Sequence, residues 1–114
     1  MSEKNISDLA SKSCKTCVNG AKALAELRIQ SLLTEVVGWT RKGGEIVKTF
    51  NFANYHETMA FVNATAWISH REDHHPDLEV GYNKVAVRYS THSAGGLTEN
   101  DFICAAKIDE LLRM

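Results

Sequence analysis

The stretch HREDHHPD, residues 70–77, holds three of the chain's five histidines, and a fourth, His92, follows in STHSAGG. An imidazole titrates near neutrality, so a histidine held in place can give or take a proton at physiological pH. A nearby carboxylate raises its pKa and a second positive charge lowers it, which makes such a cluster tunable for proton transfer. His74 and His75 are adjacent and precede Pro76, which biases His75 toward an extended backbone. Adjacent side chains on extended backbone point in different directions and can address different parts of one small molecule. His92 joins them if its loop and theirs meet at one end of a sheet. A polar surface turn is the plain alternative for an isolated HHP.

Metal binding is the competing chemistry. His70 and His74 are four residues apart, a spacing that places two ligands on one helical face, but Arg71 stands where H-E-x-x-H requires its general base. Pro76 implies that the helix ends before His74, and no convincing third ligand is visible, whereas zinc takes three or four protein ligands. No metal is expected. Cys14 and Cys17, in CKTC, suit a redox pair or half a zinc site. Cys104 stands alone in a different element, and no βαβ pattern surrounds the pair as in thioredoxin-like sites. The reading is an N-terminal pair without essential chemistry.

The elements that must position these groups follow from periodicity. Residues 1–20 are polar, close with Asn19-Gly20 and read as an N-terminal tail, leaving 21–114 as one domain. Ile29, Leu32, Leu33 and Val36 predict a first helix over 21–38, stopped by Gly38. Gly43-Gly44 predicts a hairpin turn, with Ile46, Lys48, Phe50 and Phe52 on one side of its second strand. A second helix starts at a cap on Asn54, with Tyr55, Met59, Val62 and Ala66 as its apolar stripe and Phe61 and Ile68 widening it. Leu78, Val80 and Tyr82, then Val85, Val87, Tyr89 and Thr91, alternate as two strands broken at Tyr82-Asn83. Thr98 and Asp101 form a capping box opening a third helix. Trp39 and Trp67 could stack on a flat heterocycle but are read as core, and Arg88 as a solvated or interface charge. The fold class is α+β: a four-stranded, mainly antiparallel sheet with three helices packed on one face.

Charge and composition exclude several classes. Thirteen basic and fourteen acidic residues leave a net charge of -1, so no field draws the chain to nucleic acid or anionic lipid. The polar start and the lack of a long apolar run predict a cytoplasmic protein without a membrane span.

The ordered set His70, His74, His75, Pro76, Tyr82, His92 and Asp101 in HREDHHPDLEVGYNKVAVRYSTHSAGGLTENDF resembles the signature of the pterin-4a-carbinolamine dehydratases. The likeness extends more weakly through Trp39 and FNFANYHETMAFVNATAW to AAKID, and an N-terminal CxxC is similar to what bacterial members carry. It implies loss of water from 4a-hydroxytetrahydropterin to give quinonoid dihydropterin, recycled after an aromatic amino acid hydroxylase turns over. General acids and bases suffice for that reaction, with no metal or other cofactor. The resemblance implies that His74 and His92 protonate the departing hydroxyl and that His75 binds or polarises the pterin ring. Pro76 fixes the loop, and Asp101 orients a histidine, caps its helix, or does both. His70 departs from the family pattern, which commonly has an acid there. The family also implies a homodimer or homotetramer. A non-enzymatic alternative is an oligomeric protein-binding scaffold or transcriptional dimerisation cofactor.

Overall fold

In a computed structural model, residues 9–15 and 22–113 are described. Cys17 and Asn19-Gly20 lie outside the described residues. The elements run α1 (Glu26–Leu33), β1 (Thr40–Lys42), β2 (Glu45–Asn51), α2 (Tyr55–Glu72), β3 (Asp77–Val80), β4 (Lys84–Tyr89) and α3 (Glu99–Glu110). Both hairpins form as expected. Gly43 adopts a φ of 60°, which its missing Cβ permits, and lets β1 fold onto β2.

The four strands lie in the order β1-β2-β4-β3, and every neighbouring pair is antiparallel. Because β2 pairs directly with β4, α2 connects two adjacent antiparallel strands rather than crossing between parallel ones. Ile46 and Phe50 of β2 and Val85, Val87 and Tyr89 of β4 share one sheet face with a period of two. They form one core with Leu32 of α1, Phe61 of α2 and Phe102 and Ile108 of α3. Burying one such side chain contributes about 1.5–3 kcal/mol. The opposite face is polar: Thr49 and Asn51 are exposed, and Arg88 pairs with Glu79 at 3.0 Å.

Two helices depart from their sequence patterns. α1 is shorter than the expected 21–38; after Leu33 the chain passes through turns to Gly38, whose φ is 93°. Ile29, Leu32 and Val36 are still buried. On α2 the buried face is Thr58, Phe61, Thr65 and Ile68, not the Tyr55, Met59, Val62 and Ala66 stripe. The two threonines enter the core because backbone carbonyls satisfy them: Thr58 donates to Asn54 and Tyr82, each at 2.9 Å, and Thr65 to Val62 at 2.7 Å. Tyr55 and Tyr82 instead stack on each other at the surface, 6.3 Å apart. Trp39 is core, donating to Asp109 at 3.1 Å, whereas Trp67 is exposed, contrary to its expected burial.

The described part of the expected tail is docked. Leu9 is buried, the Lys107 ammonium donates to the Ala10 carbonyl at 2.7 Å, and Asn100 holds the Lys15 backbone both ways, accepting from its N–H at 2.9 Å and donating to its C=O at 2.6 Å. Leu9–Lys15 is therefore a strap along α3.

Candidate active site

The end of α2 sets the first two imidazoles. Asp73 takes a left-handed conformation, φ 54° and ψ 42°, and the N–H of His74 returns to the Ser69 carbonyl at 3.2 Å. This αL stop turns the chain off the helix axis before His74. His70 remains on the last helical turn, exposed, so it and His74 do not share a helical face. Pro76 then leads directly into β3.

The third imidazole comes from the segment after β4. Thr91 and Gly96 form an isolated antiparallel bridge, with N–H to carbonyl distances of 3.0 and 3.3 Å, that closes a one-turn 3-10 loop carrying His92. The loop leads into Thr98, the cap of α3, so His92 and Asp101 are tied to one turn.

Asp101 lies beneath. Its side chain has no solvent exposure, and such a buried carboxylate requires several donors. One oxygen accepts from the Thr98 N–H at 2.9 Å and from the Thr91 hydroxyl at 2.8 Å. The other lies 2.6 Å from His74 Nε2. The carboxylate thus both closes the capping box and fixes an imidazole, the two roles that were open for it in the sequence. His74 is sandwiched further by Tyr89, whose ring lies 5.7 Å away and within 9° of parallel. Its Nδ1 is the nitrogen left for other partners.

His74, His75 and His92 line one cavity of about 310 Å3. Ser90 and Thr91 of the β4 end, Glu72 and Asp73 of the α2 end, and Cys14 and Lys15 of the strap complete much of its wall. A second open space of about 390 Å3, along the β1–β2 turn, shares Ser90, Thr91 and His92 with it. His70, Pro76 and Tyr82 do not line the cavity, and Asp101 acts from behind His74.

Sequence reasoning missed four parts of this site. The alternation of Val85, Val87, Tyr89 and Thr91 marks Thr91 only as a strand residue. Glu72, almost fully buried, accepts from the Cys14 N–H at 2.8 Å and faces Lys107 at 3.7 Å. Asn100 anchors the strap. Cys104, expected to stand alone, has Cys14 against it, with 3.4 Å between sulfurs. Burial and the Cys14 contact push the Cys104 thiol far above its usual pKa, the contact being the larger cause. Only the order S-T-H ahead of the cap signalled Thr91; the others depend on contacts between residues distant in sequence.

The family model described as pterin 4 alpha carbinolamine dehydratase matches residues 22–111. The chain belongs to this family, a family of hydro-lyases. A curated relative from Nitrosospira multiformis, provisionally named pterin-4-alpha-carbinolamine dehydratase, is 56% identical over 98% of this chain and 99% of its own. The crystal structure of a transcriptional coactivator/pterin dehydratase from Brucella melitensis superposes with a TM-score of 0.76 at 29% identity, covering 79% of this chain and 98% of that one. A pterin dehydratase-like protein identified as a RuBisCO assembly factor in the alpha-carboxysome aligns at 28% identity and a TM-score of 0.55, over 66% of this chain and 87% of that one. In this dehydratase-family chain the strap precedes the residues that the family model matches. Among the described residues, no helix is long and apolar enough to cross a membrane.

Proposed function

We propose that the chain dehydrates 4a-hydroxytetrahydropterin to quinonoid dihydropterin by histidine acid–base catalysis in the three-histidine cavity. The observation that carries this reading is the 2.6 Å contact between His74 Nε2 and the buried Asp101 carboxylate, at the wall of a cavity that His75 and His92 also line. With Nε2 donating to Asp101, His74 Nδ1 is the nitrogen that exchanges protons with substrate.

In the reaction the bond from C4a to the hydroxyl oxygen breaks, and the oxygen leaves as water after taking a proton from an imidazolium. The adjacent ring nitrogen passes its proton to a neutral imidazole of the cavity or to water as the carbon–nitrogen double bond forms, so that no net proton is consumed. Hydroxide is a poor leaving group until protonated, so a placed acid lowers the barrier; such a group typically contributes about a hundred- to ten-thousandfold. His74 and His92 are assigned to the departing hydroxyl and His75 to binding or polarising the ring. Asp101 positions His74, and the imidazolium formed during turnover meets a carboxylate rather than a vacant pocket.

The physiological reading is tetrahydropterin recycling after an aromatic amino acid hydroxylase, in the cytoplasm, by a homodimer or homotetramer. The polar, helix-free sheet face with Thr49, Asn51 and Arg88 offers a surface for such association. A second reading, a protein-binding scaffold, has support in the role named for the RuBisCO assembly factor.

The experiment is to generate the carbinolamine enzymatically and follow its dehydration by ultraviolet absorbance. The wild type should outpace the spontaneous reaction, and His74→Ala should lose about a hundredfold or more of that acceleration. A wild-type rate equal to the spontaneous one removes the enzyme reading; a fully active His74→Ala removes the mechanism.

A further inference from the structure

The strap meets α3 through two thiols that the proposed dehydration does not use. Cys14, half-buried, forms part of the cavity wall, and Cys104 is buried behind it with its sulfur 3.4 Å away. The two are 90 residues apart in sequence, so the strap's docking alone brings them together. Among the described residues, no group of three His, Cys, Asp or Glu side chains is arranged to hold a metal ion.

We propose that Cys14 and Cys104 are a reversible disulfide site that fixes the strap as a wall of the active-site cavity. A disulfide has a sulfur–sulfur distance of about 2.05 Å, so the two atoms must approach by about 1.4 Å. Cys14 lies in a non-helical segment that can supply this movement, while Cys104 is held within α3. In a reducing compartment such a pair rests as thiols and oxidises transiently.

The site is asymmetric in a way that orders the chemistry. Cys14 faces the cavity and meets a dissolved oxidant first; Cys104, buried behind it and absent from the cavity wall, is the resolving thiol. With hydrogen peroxide as oxidant, the Cys14 sulfur attacks one peroxide oxygen, the O–O bond breaks, and one water departs, leaving a sulfenic acid. The Cys104 sulfur then attacks the Cys14 sulfur, the S–O bond breaks, and a second water leaves as the disulfide forms. Two thiols give up two electrons and two hydrogens, and the peroxide takes them. An added dithiol reverses the change by exchange.

The bond would join the cavity wall to the helix that carries Asp101, three residues before Cys104. The Cys14 backbone is already tied to Glu72, at the α2 end that leads to His74. Resting on the dehydratase reading, the effect on turnover is a change in substrate binding: the bond draws the Cys14 sulfur toward α3 and fixes the strap's part of the wall in a new shape, while the imidazoles are carried by other segments. KM should rise about threefold or more and kcat should stay within about twofold.

The test uses the full chain and its Cys17→Ser variant. Each is exposed to hydrogen peroxide, quenched with iodoacetamide, digested without reduction and read by mass spectrometry, with steady-state kinetics on the undigested samples. The expected product in both is a Cys14–Cys104 linked peptide, two hydrogens lighter than its parts and released by dithiothreitol. A Cys14–Cys17 bond in the wild type, a bond between two chains, or sulfinic acid on Cys14 with Cys104 still free overturns the proposal. A Cys14–Cys104 bond that leaves KM unchanged overturns the wall role. Because the linkage is read by mass, its outcome is independent of whether the chain dehydrates pterins.

Discussion

Tyr89 and His74 lie face to face, their ring centroids 5.7 Å apart and their planes 9° from parallel. The Tyr89 ring is wholly buried, and its hydroxyl finds no hydrogen-bond partner among the described residues. Its pKa is driven well above the usual phenol range, chiefly by burial and secondarily by the Cys104 sulfur. Tyr89→Phe keeps the stacked ring and removes an unsatisfied polar group. Urea denaturation should find the variant unchanged or up to about 1 kcal/mol more stable, with full dehydratase activity. A loss of activity would show that the hydroxyl serves the chemistry.

Asp101 separates two roles by substitution. Asp101→Asn keeps the volume and leaves one oxygen to accept from Thr98, while the charge opposite His74 is gone. The rate should fall at least about tenfold. Asp101→Ala also removes the N3 half of the capping box, so that the Thr98 N–H loses its acceptor, and leaves the Thr91 hydroxyl with Thr98 alone; one such lost hydrogen bond costs about 1–3 kcal/mol. Thermal melts of the two variants should differ by more than their rates do.

Much of this arrangement is legible in the sequence because it is set by short-range chemistry. The Gly43-Gly44 turn, the Asn54 cap, whose side chain accepts from Glu57 at 2.9 Å, and the Thr98–Asp101 box are local hydrogen-bonding devices, and each forms where it was expected. The order of HHP, STH and the box is visible too. The buried face of α2 was not, because Thr58 and Thr65 read as polar until their carbonyl partners are known. The strap was hidden for a related reason: its anchors, Asn100 to Lys15, Glu72 to Cys14 and Lys107 to Ala10, bond to backbone groups, and backbone groups look alike in every sequence. His70 shows the converse, a residue whose motif position was suggestive and whose side chain lies outside the cavity.

The strap's anchors make docking measurable. Asn100→Ala loses both hydrogen bonds to the Lys15 backbone. Limited trypsin digestion should then cleave after Lys12 or Lys15 at least several-fold faster than in the wild type, because proteolysis follows local opening. An unchanged cleavage rate would mean that Lys107 and Glu72 suffice to hold the segment.

His70→Ala should leave the dehydration rate within about twofold, the range of an exposed substitution worth no more than about 0.5 kcal/mol. A tenfold loss would return position 70 to the site.

Stability should decline in alkali. Cys104 keeps its proton in the folded chain, while an unfolded thiol releases it near pH 8.5. The unfolded state then binds fewer protons than the folded one, so the thiol's contribution is complete below about pH 8.5 and is lost as pH rises beyond it, by up to about 1.4 kcal/mol per unit. Denaturation midpoints between pH 7 and 10 should trace this slope, and Cys104→Ala should flatten it, leaving the phenol of Tyr89 to act only at the alkaline end.

Since a single carboxylate both clamps the first coil of α3 and steadies the imidazole, fraying there and inactivation should, on the proposed mechanism, be one event. On gentle heating, catalytic competence should vanish in step with amide-exchange protection around Asn100 to Ile103, leaving no sizeable population that is intact yet idle.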